Sequence, residues 1–187
     1  KKEDDLGIAR SGSIVNRYLL NIENTKIENV IANRVQADIT NSIFKDVVAD
    51  NYNGAFNNLI TATLNDTSFI NNRAQKGALY GDLSSYTIVN AIDKDIEFKG
   101  NKDVNGNSVG IYVEGAIALN ANKDRTITVY DAMYGEDTKF NRNGEEGTII
   151  LDSDAKGNFI VGGGKLVING EYTGEKINNN GTLELND

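Results

Sequence analysis

Three segments near the C-terminal end constrain this chain more than anything else in it. Gly147-Thr148-Ile149-Ile150-Leu151, Gly164-Lys165-Leu166-Val167-Ile168 and Gly181-Thr182-Leu183-Glu184-Leu185 follow one another at intervals of 17 and 17 residues. Each is a glycine followed by a short β-type run. A repeat of this length is short for a free-standing hairpin unit but long enough for one turn of a coil that winds back onto itself. One such coil cannot bury its inward row alone, so neighbouring coils must stack.

A second repeat precedes it. Asn24-Thr25-Lys26-Ile27, Asn41-Ser42-Ile43-Phe44, Asp66-Thr67-Ser68-Phe69, Asp95-Ile96-Glu97-Phe98 and Asp137-Thr138-Lys139-Phe140 each join a turn-forming Asn or Asp to a large apolar anchor. The anchors Ile27, Phe44, Phe69, Phe98 and Phe140 are separated by 17, 25, 29 and 42 residues. In the first three copies Ile22, Ile39 and Leu64 lie five residues before the anchor, and Ala32, Ala49 and Ala74 five after it. The unequal steps predict loops inserted at coil corners, or a coil without the motif between two anchors.

Together these patterns predict an all-β chain, a parallel β-solenoid in which the anchors form an internal apolar ladder. Runs such as Tyr86-Thr87-Ile88-Val89 and Thr126-Ile127-Thr128-Val129-Tyr130 have strand character. The 27 Asn and 19 Gly supply the turns between them, because these residues tolerate positive φ. An antiparallel sandwich is the competing fold. The segment Ile14–Ile22 has weak helical character and reads as a short cap or another strand. Residues 1–187 read as one solenoid with two zones: irregular, anchor-bearing coils over 1–143 and regular 17-residue coils over 144–187. The start, Lys1-Lys2-Glu3-Asp4-Asp5, reads as a processed or excised end. The last strand stops two residues before Asp187 without a polar cap, so the natural protein is expected to continue.

Cys, His, Pro and Trp are absent. That excludes disulfides, thiolate zinc sites, imidazole metal ligands and a Ser-His-Asp triad. A net charge of −8 argues against nucleic acid or an anionic membrane as partner.

Further motifs point to a family. Phe69-Ile70-Asn71-Asn72, Phe98-Lys99-Gly100-Asn101 and Phe140-Asn141-Arg142-Asn143 fit F-x-x-N, and Gly54-Ala55-Phe56, Gly77-Ala78-Leu79 and Gly115-Ala116-Ile117 resemble worn copies of G-G-A-I. The first Gly of G-G-A-I is replaced by Asn53, Lys76 and Glu114, and Val47 follows Phe44 where Asn is expected. The stretch from Gly110 through Ala118-Leu119-Asn120-Ala121 to Asp131 is similar to a segment that follows such repeats. Over roughly residues 39–150 the chain resembles the polymorphic outer-membrane proteins, adhesin-like autotransporters best known from chlamydiae. The resemblance implies a right-handed parallel β-helix of pectin-lyase-like architecture, displayed outside a Gram-negative cell. It also implies a membrane tether only through a C-terminal translocator outside this chain. The repeats and the F-x-x-N motif together name Ile27, Phe44, Phe69, Asn72, Phe98, Asn101, Phe140, Asn143, Gly147, Gly164 and Gly181 as structural repeat anchors.

Chemistry-bearing candidates are few. Asn101-x-Asp103-x-Asn105-Gly106 has the early spacing of a calcium loop, but its twelfth position is Tyr112 rather than a bidentate Glu. Asp152-x-Asp154-x-Lys156-Gly157 places a cation at a ligand position. Gly162-Gly163-Gly164-Lys165 lacks the Ser or Thr of a phosphate loop. Asp93, Asp95 and Glu97 alternate as a carboxylate pair would, yet Asp95 falls on the turn position of the repeat. No cofactor, metal or catalytic residue is assigned. Tyr52, Tyr80, Tyr112, Tyr130 and Tyr134 lie near loops after the anchors, where exposed tyrosines would bind protein or glycan through amphipathic contact; packing as half-buried sheet residues is the competing reading and the stronger one for any single tyrosine. The expected function is therefore non-enzymatic: adhesion to a host-cell protein or glycan, or self-association. A β-helical carbohydrate-active enzyme and a plain structural spacer are the alternatives.

Overall fold

The structure is a computed structural model and describes residues 8–9 and 13–186. The charged start and Asp187 lie outside the described residues. Among them the protein is all-β, without a helix. Apart from Ile8–Ala9, which runs antiparallel to Ser13–Asn16, every pairing between named strands is parallel. The segment expected to have helical character is two strands, Ser13–Asn16 and Leu19–Glu23. Parallel strands cannot be joined by a tight hairpin. The chain therefore passes through a full coil before each strand meets its partner.

Every coil contributes to three walls. The first runs from Ser13–Asn16 through Ile31–Asn33, Phe56–Asn58 and Leu79–Gly81; the second from Leu19–Glu23 through Gln36–Thr40, Thr61–Asn65 and Tyr86–Ala91. From Ile111–Ala121 to Ala155–Val161 the two walls share one strand per coil, and in the last coil they separate again into Tyr172–Thr173 and Ile177–Asn179. Ile111–Ala121, Met133–Phe140 and Ala155–Val161 bend where the register shifts between Val113 and Ala116 and between Gly135 and Asp137. Together these walls make a 14-stranded sheet. The third wall is an eight-stranded sheet from Lys26–Ile27 to Thr182–Leu185. A short ladder, Val48–Ala49 on Arg73–Ala74, fills one corner.

Alternation places one row of each wall inside. Ile22, Ile39, Leu64, Val89, Leu119, Phe140 and Val161 align on the second wall, and all are buried. On the third wall Ile27, Phe44, Phe69, Phe98, Val129, Leu151 and Ile168 align and are buried. Phe44, Phe69 and Phe98 stack nearly parallel, with ring centroids 4.6 and 4.9 Å apart. The coil repeat of about 4.8 Å brings identical rings to this separation, and each pair adds about 0.5–1.5 kcal/mol beyond its buried area.

Phe140 departs from the sequence reading. It sits on the second wall between Leu119 and Val161, and its place after Phe98 on the third wall is taken by Val129. The 42-residue step runs one full coil, from Phe98 to Val129, and then only as far as the second wall of the next coil; two full coils along the third wall end at Leu151. Asn143 is correspondingly displaced: it is exposed, and the buried amide of that segment is Asn141. Two further equivalences shift. Ala32 pairs with Asn57 on the first wall, while Ala49 and Ala74 pair in the corner ladder. Leu79, following Gly77-Ala78, pairs with Ile111, so Gly115-Ala116-Ile117 belongs to the second wall instead.

Candidate functional site

Buried amides come first, because they fix how the coils stack. Asn16 donates through Nδ2 to Asn33 Oδ1 at 2.7 Å, Asn33 to Asn58 Oδ1 at 2.9 Å, and Asn58 to Thr87 Oγ1 at 2.9 Å. A second ladder follows the Phe row. Asn72 Nδ2 donates to Asn101 Oδ1 at 2.9 Å, and Asn101 Nδ2 to Asp131 Oδ2 at 2.8 Å. Each amide also takes a carbonyl of an earlier coil, Phe44 for Asn72 and Phe69 for Asn101. Asn72 and Asn101 are thus inward-facing structural groups. In a dry interior these bonds are required, since an unpaired amide there costs about 1–3 kcal/mol.

Gly147, Gly164 and Gly181 stand one above another where the second wall turns into the third. Thr182 N donates to Gly164 O and Lys165 N to Gly147 O, at 2.9 and 3.0 Å. A Cβ on Gly164 would lie 2.3 Å from Gly147 O, so the close approach of coils requires glycine there.

The acidic loops are turns. Asp103 accepts backbone N–H bonds from Asn105 and Asn107 and the Asn107 amide, which hold its carboxyl below its ordinary value although partial burial opposes them. Asn101, the first residue of that calcium-like spacing, faces inward. No group of three or more Asp or Glu among the described residues is placed to hold a metal ion. Asp95 Oδ1 accepts the Thr126 N–H at 2.9 Å, capping the next coil, while Asp93 is exposed in the preceding turn. Lys165 starts a strand and pairs with Glu184 at 2.6 Å. Asp152 begins an exposed ladder with Asn169 and Asn186.

The tyrosines divide. Tyr52 packs against the core, with its hydroxyl 2.8 Å from Ser13 Oγ. Tyr130 is exposed, with the Lys99 ammonium 4.6 Å from its ring centroid. Tyr80, Tyr112 and Tyr134 form a single row on the outer side of the first wall, one per coil. Their rings stack at 6.4 and 4.6 Å, with interplanar angles of 22° and 25°. Tyr80 is buried, with only 5% exposure, whereas Tyr112 and Tyr134 are half-buried, so the row reaches solvent only at its last two members.

Charged groups bracket it. The Lys76 ammonium lies 5.1 Å from the Tyr80 ring centroid and 4.7 Å from that of Tyr112, and bonds Glu114 Oε1 at 2.8 Å. Tyr80 donates to Glu114 Oε2 at 2.8 Å and Tyr134 to Glu136 Oε2 at 2.8 Å. Lys156, which occupies the next position of the row, lies 5.7 Å from the Tyr134 ring centroid. The Lys76 and Tyr80 bonds hold Glu114 below its ordinary value; burial, then the bond to Glu114, pushes the Tyr80 phenol well above its own. The Glu136 bond and burial raise Tyr134 as well. The row is therefore a set of stacked rings whose Tyr80 and Tyr134 hydroxyls are hydrogen-bonded to carboxylates, with the Lys76 and Lys156 ammonium groups beside the rings.

Sequence reasoning marked the tyrosines but not Lys76, Glu114 and Lys156, which join them only through coil register. Asp131 was also missed as the end of the amide ladder, because it stands two residues after Val129 rather than three after a Phe, so neither the anchor nor the spacing of the motif signals it. No protein-family model, curated protein or solved structure matches the chain.

Proposed function

We propose that this chain is a stretch of a right-handed parallel β-helix displayed on a Gram-negative cell surface, and that it acts by contact rather than catalysis. In this reading it belongs with passengers of the polymorphic outer-membrane protein type and adheres to a host-cell protein or glycan, or to a second copy of itself. A translocator beyond this stretch tethers it to the outer membrane. The observation that carries the reading is the outer row that runs from buried Tyr80 to half-buried Tyr112 and Tyr134, bracketed by Lys76, Glu114 and Lys156. Tyrosine is among the residue types that carry most of the energy at protein contacts. The parallel stacking of coils provides the rigid support.

The test is retention of the purified chain on a panel of host cells, matrix proteins and glycans, with soluble sugar release and self-association read on the same samples. Retention or self-association without sugar release, reduced by Tyr112→Ser with Tyr134→Ser, supports the reading. Sugar release would replace it with an enzyme. Neither binding nor self-association would leave a spacer.

A further inference from the structure

A concave site lies on a different face, outside the second wall. It has a volume of about 330 Å³, at the lower end of the range for small-molecule sites. Its floor is the outer row Ile88 with Asn90 and Asn120; Ile92 and Asn122 form one side, and the turn carrying Arg142, Asn143 and Glu145 forms the other. That turn is anchored twice: Arg142 N donates to Asn120 Oδ1 at 3.2 Å, and Asn141 N to Leu119 O at 2.9 Å. The cleft is therefore held by the coil beneath it.

Its polar groups have definite polarity. Asn120 Nδ2 donates to Asn90 Oδ1 at 2.9 Å, and Asn90 Nδ2 to Asn65 Oδ1 at 2.8 Å. Each amide uses one N–H along this ladder and has a second; Asn90 is half-buried, whereas Asn120 is buried and serves to hold the floor. Glu145 is engaged by Asn143, through the backbone N–H at 2.9 Å and Nδ2 at 3.1 Å. Arg142 is exposed, its guanidinium carbon 5.5 Å from the Tyr86 ring centroid, and none of the four ion pairs among the described residues uses it. The cleft thus offers a guanidinium fork for a carboxylate, amide donors for hydroxyls, and isoleucine surface for a ring's C–H face.

We infer that this cleft binds a carboxylate-bearing monosaccharide, free or at the end of a glycan. The carboxylate meets Arg142, and a ring hydroxyl meets the second N–H of Asn90. The site deepens the adhesive reading and rests on it only for its biological use; the binding itself stands on the cleft.

The test uses the whole chain, with side-chain amide resonances of Asn90, Asn120 and Asn122 followed on titration with glucuronate, N-acetylneuraminate and, as the neutral control, glucose. Saturable shifts with an acid sugar are expected, with affinity lost by about tenfold in Arg142→Gln and similarly weak for glucose. Arg142→Lys, which keeps charge but not the fork, should recover only part. No saturable shift with either acid, equal response to glucose, or unchanged binding in Arg142→Gln overturns the assignment. A glycan ending in the responding acid, tested beside the free sugar, separates the two sources. Retention on cells is scored separately. Retention that survives Arg142→Gln leaves the adhesive reading in place, on the tyrosine face; acid-sugar binding without retention leaves the cleft and removes adhesion.

Discussion

Asn101 donates its Nδ2 proton to Asp131 Oδ2 at 2.8 Å, closing a ladder that begins at Asn72 and runs along the inside of the corner after the phenylalanine row. The Asp131 carboxylate is only 4% exposed, and it also accepts the backbone N–H groups of Gly100 and Asn101 and the Ser108 hydroxyl. Four donors meet on this one carboxyl group, so its burial is matched by hydrogen bonds from within the protein.

Asn101→Ala removes a group that bonds Phe69 O, Asp131 and both Asn72 nitrogens. The partners stay buried without replacement, so the variant should lose about 2–3 kcal/mol, seen as a lower urea midpoint with little change in slope. Unchanged stability would mean that water enters this corner.

Phe69 is stacked on both faces, by Phe44 and Phe98. Phe69→Ala should cost about 3–5 kcal/mol, and Phe69→Leu clearly less, because the leucine refills most of the cavity. Thermal melts of the two variants, compared with a truncation of the T-shaped neighbour pair Phe140–Phe159, would show whether parallel stacking matters beyond volume.

Gly157 has φ of 144°, and a Cβ there would lie 1.7 Å from Gly135 O. Gly144 also has positive φ, 83°, but nothing lies within 4 Å of its Cβ position. Gly157→Ala should therefore separate two coils and lower the melting temperature sharply. Gly144→Ala should cost only the left-handed penalty of about 1–2 kcal/mol.

Stability should depend on pH at both ends through one network. The folded pKa of Glu114 is depressed by Lys76 and Tyr80, so its contribution is present above the ordinary value of 4.5 and is lost as pH falls below it. Tyr80 is raised above its ordinary 10.0 by burial and by Glu114; its contribution is present below that pH and declines as pH rises, because the unfolded phenol ionises first. Glu114→Gln should flatten the acid limb of a stability–pH curve and Tyr80→Phe the alkaline limb. Equal slopes in the variants and the parent would show that the network is not coupled to folding.

The elements legible in the sequence share one property: their signal is local and repeats at fixed length. The Gly147, Gly164 and Gly181 register is stated outright by a constant spacing. Ile27, Phe44, Phe69 and Phe98 carry their own turn residue, and Asn24, Asn41 and Asp66 before the first three have the positive φ that their side chains tolerate. The outer tyrosine row was visible only as a scatter of five residues, because nothing local separates Tyr112, which faces outward, from Tyr52, which packs inward.

By itself the sequence determined that the chain is built of short strands and left-handed turns, and which residue types fill the interior. Strand alternation and tolerance of positive φ are properties of a few consecutive residues. Only the tertiary structure decided which coil each residue belongs to. Loops of unequal length shift the count, so equivalence is set by hydrogen-bond register between coils and by the volume left inside. That is why Val129 stands above Phe98 while Phe140, despite its matching motif, packs on Leu119. It is also why Lys76 meets Glu114, 38 residues away, beside a stacked pair of tyrosines.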